Sequence, residues 1–504
     1  MVNKTNVLEF LEQITQQDPD RILLTDGQKE YSRGTLMDLS RRVGSGLLGV
    51  CKRRTPVIIY MEKTVDTVSA FFGTVYAGAF YTFLDPDLHA HRQRQIQDSL
   101  QSVTVITSSE YLARAKEQFP ECRIFDLADL QKTEVDADGL SAVRRRHLDT
   151  DPLFIHFTSG STGSPKGVLA CHRNVIDFAG AFTDAFGICE NDVLANQAPF
   201  DFDANVKDLY SAILTGAKMV LISKQLFSNP VPLLDYLCDQ KVTIMTWAVS
   251  ALCLLNAFNA LEYKVPDTVR KVLFSGEVMP MKHLQDWMAH LPNAEFVNLY
   301  GPTEGTCNCT WHLIDRGRDY SDGIPVGRPF TNEEAFLLDE EDREITEPGK
   351  KGQICVRGTS VTLGYWNHPE ETKTRFRNDP RTPEYPMVMY CTGDFGKYNE
   401  QGELLFCGRM DDQIKHSGHR IELSEIEIAM NNAPGVERGC CLFDAEKDRI
   451  HGFYCGEPGI KELAASLRKM LPVYMVPGVL HKLDSMPVTS RGKIDRGLLR
   501  KSLS

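Results

Sequence analysis

Phe157-Thr158-Ser159-Gly160-Ser161-Thr162-Gly163-Ser164-Pro165-Lys166-Gly167-Val168 carries more chemistry than any other stretch of this sequence. It follows the apolar run 153–155, as a loop follows a buried strand. Small residues let the backbone approach a polyanion, whose oxygens accept hydrogen bonds from N–H groups and hydroxyls. Lys166 adds a cation. Common nucleoside triphosphatases use G-x-x-x-x-G-K-[S/T], but here Gly167 follows the lysine, so that mechanism is not supported. A phosphate-holding loop after a strand points to an α/β arrangement.

The flanking sequence agrees. Val57-Ile58-Ile59-Tyr60 makes 56–61 read as a short buried strand. Val65, Val68, Phe72 and Val75 recur at helical spacing over 65–76, and Gly78 suits the helix end. Segments 103–107 and 218–223 repeat the buried-strand pattern. Alternation of this kind over the first four hundred residues predicts α/β architecture with largely parallel sheets. Near 408–412 the chain becomes charged, after a strand-like 403–406 and before an amphipathic 422–431. This predicts a large region, 1–407, and a small α+β domain, 411–504.

The chain has 504 residues, 42% hydrophobic and 25% charged, which excludes a disordered or fibrous class. A net charge of −12 without a basic block argues against nucleic acid as a partner. The fourteen cysteines lack zinc-ligand spacing and read as free, buried thiols of a reducing compartment. The N-terminus lacks the apolar core of a secretory signal, and the most apolar run, 245–258, is too short to span a membrane. These features predict a cytoplasmic protein.

Four further motifs stand out. Asn298-Leu299-Tyr300-Gly301-Pro302-Thr303-Glu304 sets an aromatic face beside a sharp turn and a hard carboxylate suited to Mg²⁺. Tyr390-Cys391-Thr392-Gly393-Asp394 ends on a carboxylate able to accept two ribose hydroxyls. Gly408-Arg409-Met410-Asp411-Asp412 lies at the domain boundary, and Gly492-Lys493-Ile494-Asp495-Arg496 lies near the C-terminus. In this order and spacing the five motifs resemble those of the ANL superfamily of adenylate-forming enzymes. That superfamily includes acyl-CoA synthetases, luciferases and nonribosomal-peptide adenylation domains.

The resemblance implies ATP and Mg²⁺ as co-reactants. The first half-reaction would join a carboxylate to ATP, giving an acyl-adenylate and pyrophosphate. The second would pass the acyl group to a thiol. The loop Thr158, Ser159, Gly160, Ser161, Thr162, Gly163 and Lys166 would hold the β- and γ-phosphates. Tyr300 would stack on adenine, with the Ser275-Gly276-Glu277 backbone on its other side. Asn298, Leu299, Gly301, Pro302 and Phe406 complete the nucleotide-binding set. Thr303 would contact the α-phosphate and Glu304 would bind Mg²⁺. Asp394 and Arg409 would hold the ribose, and Lys493 would bridge the substrate carboxylate and the α-phosphate as the catalytic lysine. Asp411 would be the hinge of a mobile small domain.

Phe202-Asp203-Ala204-Asn205-Val206 resembles the Phe-Asp-x-Ser-Val stretch of amino-acid-activating members, with Asn205 where the family often has Ser. Asp203 would then pair with the substrate's α-ammonium; Phe200-Asp201 offers a second register. The side-chain pocket would comprise Ala204, Lys207, Thr246, Leu273, Ser275, Leu299, Cys307 and Asn308. Phe274-Ser275-Gly276-Glu277-Val278 resembles a segment of D-alanine–D-alanyl carrier protein ligases, although Lys207 and Asn308 are polar for a D-alanine pocket. Lys207 either points at solvent or points inward, and inward it predicts an acidic or hydrogen-bonding substrate side chain. The expected activity is amino-acid adenylation followed by transfer to the phosphopantetheine thiol of a separate carrier protein. A D-alanine–D-alanyl carrier protein ligase and an acyl- or aryl-CoA ligase are the alternatives. Lys415, Arg420 and Lys469 are candidates for carrier contact.

Overall fold

The computed structural model describes residues 4–102, 104–158, 165–409, 413–487 and 494–503. The chain divides into two compact units. One comprises 1–86, 100–156 and 167–410; the other comprises 87–99, 157–166 and 411–504.

The first unit is built on a nine-stranded sheet. Six of its strands are parallel: Ile22–Thr25, Lys218–Leu221, Val193–Asn196, Ile244–Ala248, Lys271–Ser275 and Glu295–Tyr300. Antiparallel strands close both edges. A second sheet aligns Arg123–Asp126, Thr104–Thr107, Pro56–Tyr60 and Phe80–Phe83 in parallel, with Pro152–Thr158 beside the last. The helix predicted over 65–76 is present as Val65–Tyr76, and Gly78 follows it with φ +77°. The apolar run 245–258 divides into the strand Ile244–Ala248 and the helix Val249–Ala257.

Alternation along the strands assigns each residue to one of two cores. Met245, Trp247, Val272 and Phe274 pack with Leu284 and Trp287 on one face of the nine-stranded sheet. The Trp247 indole donates to the Ala195 carbonyl at 2.9 Å, and that of Trp287 to the Leu252 carbonyl at 3.1 Å. Leu273, Val297 and Leu299 join the opposite core, which includes Val206, Leu209 and Tyr210 of the helix Asn205–Thr215. Tyr210 and Tyr81 meet there through their hydroxyls at 2.7 Å. The sheet face that carries Thr246, Leu273 and Ser275 is therefore the face toward this helix.

The expected parallel layout does not extend to residue 400. From Glu333 onward the chain forms an antiparallel sheet of Glu344–Ile345, Glu333–Leu338, Lys351–Gly358, Val388–Tyr398 and Phe376–Asn378, with Leu404–Arg409 pairing on Val388–Tyr398. Tight turns cause the change. Asn399 accepts backbone N–H bonds from Gln401 and Glu403, which folds 388–398 directly back onto 404–409.

The second unit has its own core of Ile421, Ile426, Met430, Cys441, Tyr454, Leu463 and Leu467. Its three-stranded sheet orders Val436–Asp444, Arg449–Gly456 and Val479–Lys482. The helices Leu423–Asn431 and Ile460–Met470 pack with it. Arg92 and Glu425 form a buried ion pair in this unit. All fourteen cysteines are free; eight are buried and Cys189 is exposed. No helix among the described residues is long and apolar enough to cross a membrane.

Candidate functional site

Two clusters in the first unit gather most of the residues singled out in the sequence. The first centres on Asp394. The register of Val388–Tyr398 on Leu404–Arg409 places Asp394 directly opposite Arg409, and the two form an ion pair. Arg409 also donates to the Thr392 carbonyl at 3.3 Å. The other Asp394 oxygen accepts from the Tyr300 hydroxyl at 2.6 Å. Burial, with the Asp394 charge adding to it, holds the Tyr300 phenol far above its ordinary range, so it stays a donor. The Phe406 ring lies 6.4 Å from that of Tyr300, tilted by 42°. Gly276, at φ +101°, has open space where a Cβ would be.

Glu304 sits in a 3₁₀ turn, Thr303–Gly305, with its side chain fully buried. It accepts from the Tyr365 hydroxyl at 2.5 Å, and its carbonyl accepts from the Thr362 N–H at 2.9 Å. The chain then curls tightly. Thr306 and Cys307 both take positive φ, +51° and +79°. Thr306 donates to the Ser360 carbonyl at 2.5 Å, and the Cys309 N–H returns to the Tyr300 carbonyl at 2.8 Å. Two successive left-handed residues without a glycine are a local cost that surrounding bonds must hold. Gly301 makes the curl sterically feasible, because a Cβ there would sit 2.4 Å from the Asn308 Cα.

The second cluster lies at the C-terminal ends of the parallel strands, where ligands of open α/β sheets bind. Lys207 is on the helix Asn205–Thr215 and is 1% exposed. Its ammonium donates to the Ser275 hydroxyl at 3.1 Å and bears on the Cys307 thiol. Burial pushes that thiol up to about 12, with the Lys207 charge opposing and the Asp203 carboxylate adding. Asp203, just before the helix, thus faces the same place as Lys207. Asp201 faces elsewhere: desolvation lifts it to about 6, and Asp85, Lys224 and Lys63 are its charged neighbours. Thr246 donates to Asp208, whose other oxygen accepts from Asn196 at 2.9 Å.

Some named residues lie apart from these clusters. The Asn298 amide is committed to the Pro325 carbonyl at 2.9 Å, and Leu299 belongs to the core. Thr158 ends one strand, and Lys166, which is buried, begins another. Ser159, Gly160, Ser161, Thr162 and Gly163 lie outside the described residues, as do Asp411 and Lys493. In the second unit Arg496 is anchored by Glu427 at 2.9 Å and by the Cys441 carbonyl at 2.9 Å.

Sequence reasoning missed three participants. Tyr365 is the partner of Glu304, 61 positions away. Lys63 donates to the carbonyls of Asn196, Gln197, Ala198 and Ile222 at 2.9–3.3 Å, fastening the loop ahead of Asp203. His156 is buried, which drags its imidazole down to about 3; it lies 3.5 Å from the Asn205 amide. The one sequence signal among these was the tyrosine of the 365–366 pair, which stood near a motif without an assigned role.

The family described as AMP-binding enzyme matches residues 11–366. Tyrocidine synthase 2 from Brevibacillus parabrevis is 28% identical over 504 residues, 98% of this chain and 13% of its own length. This chain spans between 6% and 45% of the curated relatives it matches. Holo-PA1221, described as an NRPS protein containing adenylation and PCP domains, superposes with a TM-score of 0.86 at 22% identity, over 99% of this chain and 84% of that one. A double mutant of o-succinylbenzoate CoA synthetase from Bacillus subtilis superposes with a TM-score of 0.83 at 21% identity, over 99% and 97%. At these identities the likeness to both structures is one of fold.

Proposed function

Because the chain belongs to the AMP-binding enzyme family of the ANL superfamily, we propose that it activates an amino acid as the aminoacyl-adenylate, releasing pyrophosphate, and then forms a thioester with release of AMP. The observation that carries this reading is Asp203 and Lys207 bearing on one thiol, Cys307, at the C-terminal ends of the parallel strands. A carboxylate there pairs with an α-ammonium, and a substrate without the amine leaves that charge unpaired.

Each group of the site has a task. Tyr300 and Phe406 offer aromatic faces to the adenine. Asp394, oriented by Tyr300 and Arg409, accepts from the ribose hydroxyls. Thr303 contacts the α-phosphate, while Thr158, Lys166 and the loop between them hold the β- and γ-phosphates. The ammonium of Lys493 stabilises charge that develops between the carboxylate and the α-phosphate.

The donor set suits a nucleotide-borne Mg²⁺. Glu304 is one buried carboxylate, and such an ion takes its remaining ligands from phosphates and water. Bound there, Mg²⁺ would neutralise phosphate charge. Among the described residues no group of three or more His, Cys, Asp or Glu could hold a metal by itself, so an ion arriving with ATP is the arrangement that fits.

The acceptor is the phosphopantetheine thiol of a carrier protein. Similarity to tyrocidine synthase 2 and to an adenylation–PCP protein supports that choice. The fold of o-succinylbenzoate CoA synthetase supports a second reading, coenzyme A as the acceptor. ATP–pyrophosphate exchange across the twenty amino acids and D-alanine tests the first half-reaction. Exchange confined to simple carboxylic acids would overturn it, and coenzyme A consumption without a carrier would favour the second reading. Lys493→Ala should abolish exchange while ATP binding, followed by calorimetry, persists.

A further inference from the structure

Lys207 is the most unusual buried charge in the first unit. Its side chain is almost wholly withdrawn from solvent. Its printed partners are neutral groups, the Ser275 hydroxyl and the Cys307 thiol. The nearest carboxylate in sequence, Asp208, is already engaged by Thr246 and by Asn196. Among the described residues no carboxylate lies within ion-pair distance of the Lys207 ammonium.

A buried ammonium without a counter-ion is costly unless something else supplies the charge. Methionine would fill the same volume without that cost. Lys207 also follows Asp203 by four positions, about one helical turn. A molecule whose ammonium met Asp203 would therefore extend toward Lys207. The walls between are small or polar at Ala204, Thr246 and Ser275, and apolar at Leu273.

We propose that Lys207 is the specificity residue for an anionic substrate side chain, and that the acid activated here is an α-amino acid bearing a second carboxylate. This rests on the adenylation reading and narrows it. Asp203 holds one end of the substrate by its ammonium, and Lys207 with Ser275 holds the other by its side-chain carboxylate. The chemistry excludes a side chain ending in an ammonium, which would meet a like charge in a dry site.

The test is ATP–pyrophosphate exchange with both enantiomers of glutamate and aspartate, their amides, leucine, phenylalanine, and the amine-free acids glutarate and succinate. An acidic amino acid should be preferred over its amide by about 100-fold or more in kcat/KM. Lys207→Met should lose about that factor for the acidic substrate, with the KM for ATP unchanged. Without substrate, Lys207→Met should melt no lower than wild type, because the substitution removes an unpaired buried charge.

Four outcomes decide the matter. A wild type that prefers an amide or an apolar amino acid overturns the proposal and leaves amino-acid adenylation standing. Exchange with glutarate or succinate but no amino acid overturns the reading of Asp203; continued dependence on Lys207 would keep the anionic subsite. Equal loss for all substrates in Lys207→Met, or a much lower melting temperature, makes the lysine structural and overturns the proposal. No exchange with any compound also overturns it.

Discussion

Replacing Gly301 with alanine adds one carbon at a place where there is no room. The new Cβ would lie 2.4 Å from the Asn308 Cα and 2.7 Å from the Cys309 nitrogen, where ordinary contact begins at 3.4 Å. Backbone, not a flexible side-chain end, is the obstacle. The Asn308 segment must therefore retreat by about 1 Å, which in a close-packed interior is costly. Overpacking of this kind destabilises by about 1–3 kcal/mol. The larger effect should be on activity. Cys307 and Asn308 line the pocket, and a displacement of about 1 Å near a reacting centre costs on the order of 10²-fold. Gly305→Ala is the internal control, because its nearest neighbour, the Pro302 ring, is 3.6 Å from the added carbon. The assay is exchange kinetics with urea denaturation of both variants. Gly301→Ala should lose about 100-fold in kcat/KM for the amino acid, while Gly305→Ala keeps wild-type stability. If the two variants behaved alike, close approach at Gly301 would not be what shapes this turn.

Asp203→Asn keeps the shape and removes the charge. It should raise the KM for the amino acid by about 100-fold or more and leave the KM for ATP nearly unchanged, as measured by exchange. Asp201→Asn, facing Lys63, Lys224 and Asp85 instead, should leave amino-acid selectivity intact in the same assay. Glu333 predicts a pH effect on stability. Burial raises its carboxyl from 4.5 to about 7, and one of its oxygens has no partner. A raised carboxyl contributes stability that is complete below pH 4.5 and is lost as pH rises through 7. Glu333→Gln cannot ionise, so at pH 8 it should exceed wild type by up to about 3 kcal/mol and match it at pH 4. Urea titrations at the two pH values measure the difference; equal midpoints at pH 8 would refute it.

Local signals were legible where one residue type decides the backbone. The strand ending at Tyr60 and the helix from Val65 to Tyr76 followed from β-branched content and apolar spacing. The antiparallel sheet was not legible, because its strands are short and its turns rely on single Asn and Asp side chains. The site motifs were visible one at a time, but their partnerships were not. Tyr300 and Asp394 are 94 positions apart, and only the fold joins them. The curl at Thr306 and Cys307 carries no glycine to announce its positive φ. Lys207 was ambiguous for a different reason. A long aliphatic stem with a charged tip is equally at home covering a surface, and only the helix Asn205–Thr215 facing the sheet decides its direction.

The two-sided strand Ile244–Ala248 has a consequence for how such a pocket changes over time. Met245 and Trp247 are locked into one core, with the Trp247 indole tied to the neighbouring strand. Thr246, between them, points the other way, and in the register Leu273 stands beside it. Folding and ligand choice are thus written on alternate letters of the same word. Substitutions at the pocket letters can redirect selectivity while the frame keeps its stability. A one-residue insertion, by contrast, would exchange the two sets and destroy both at once.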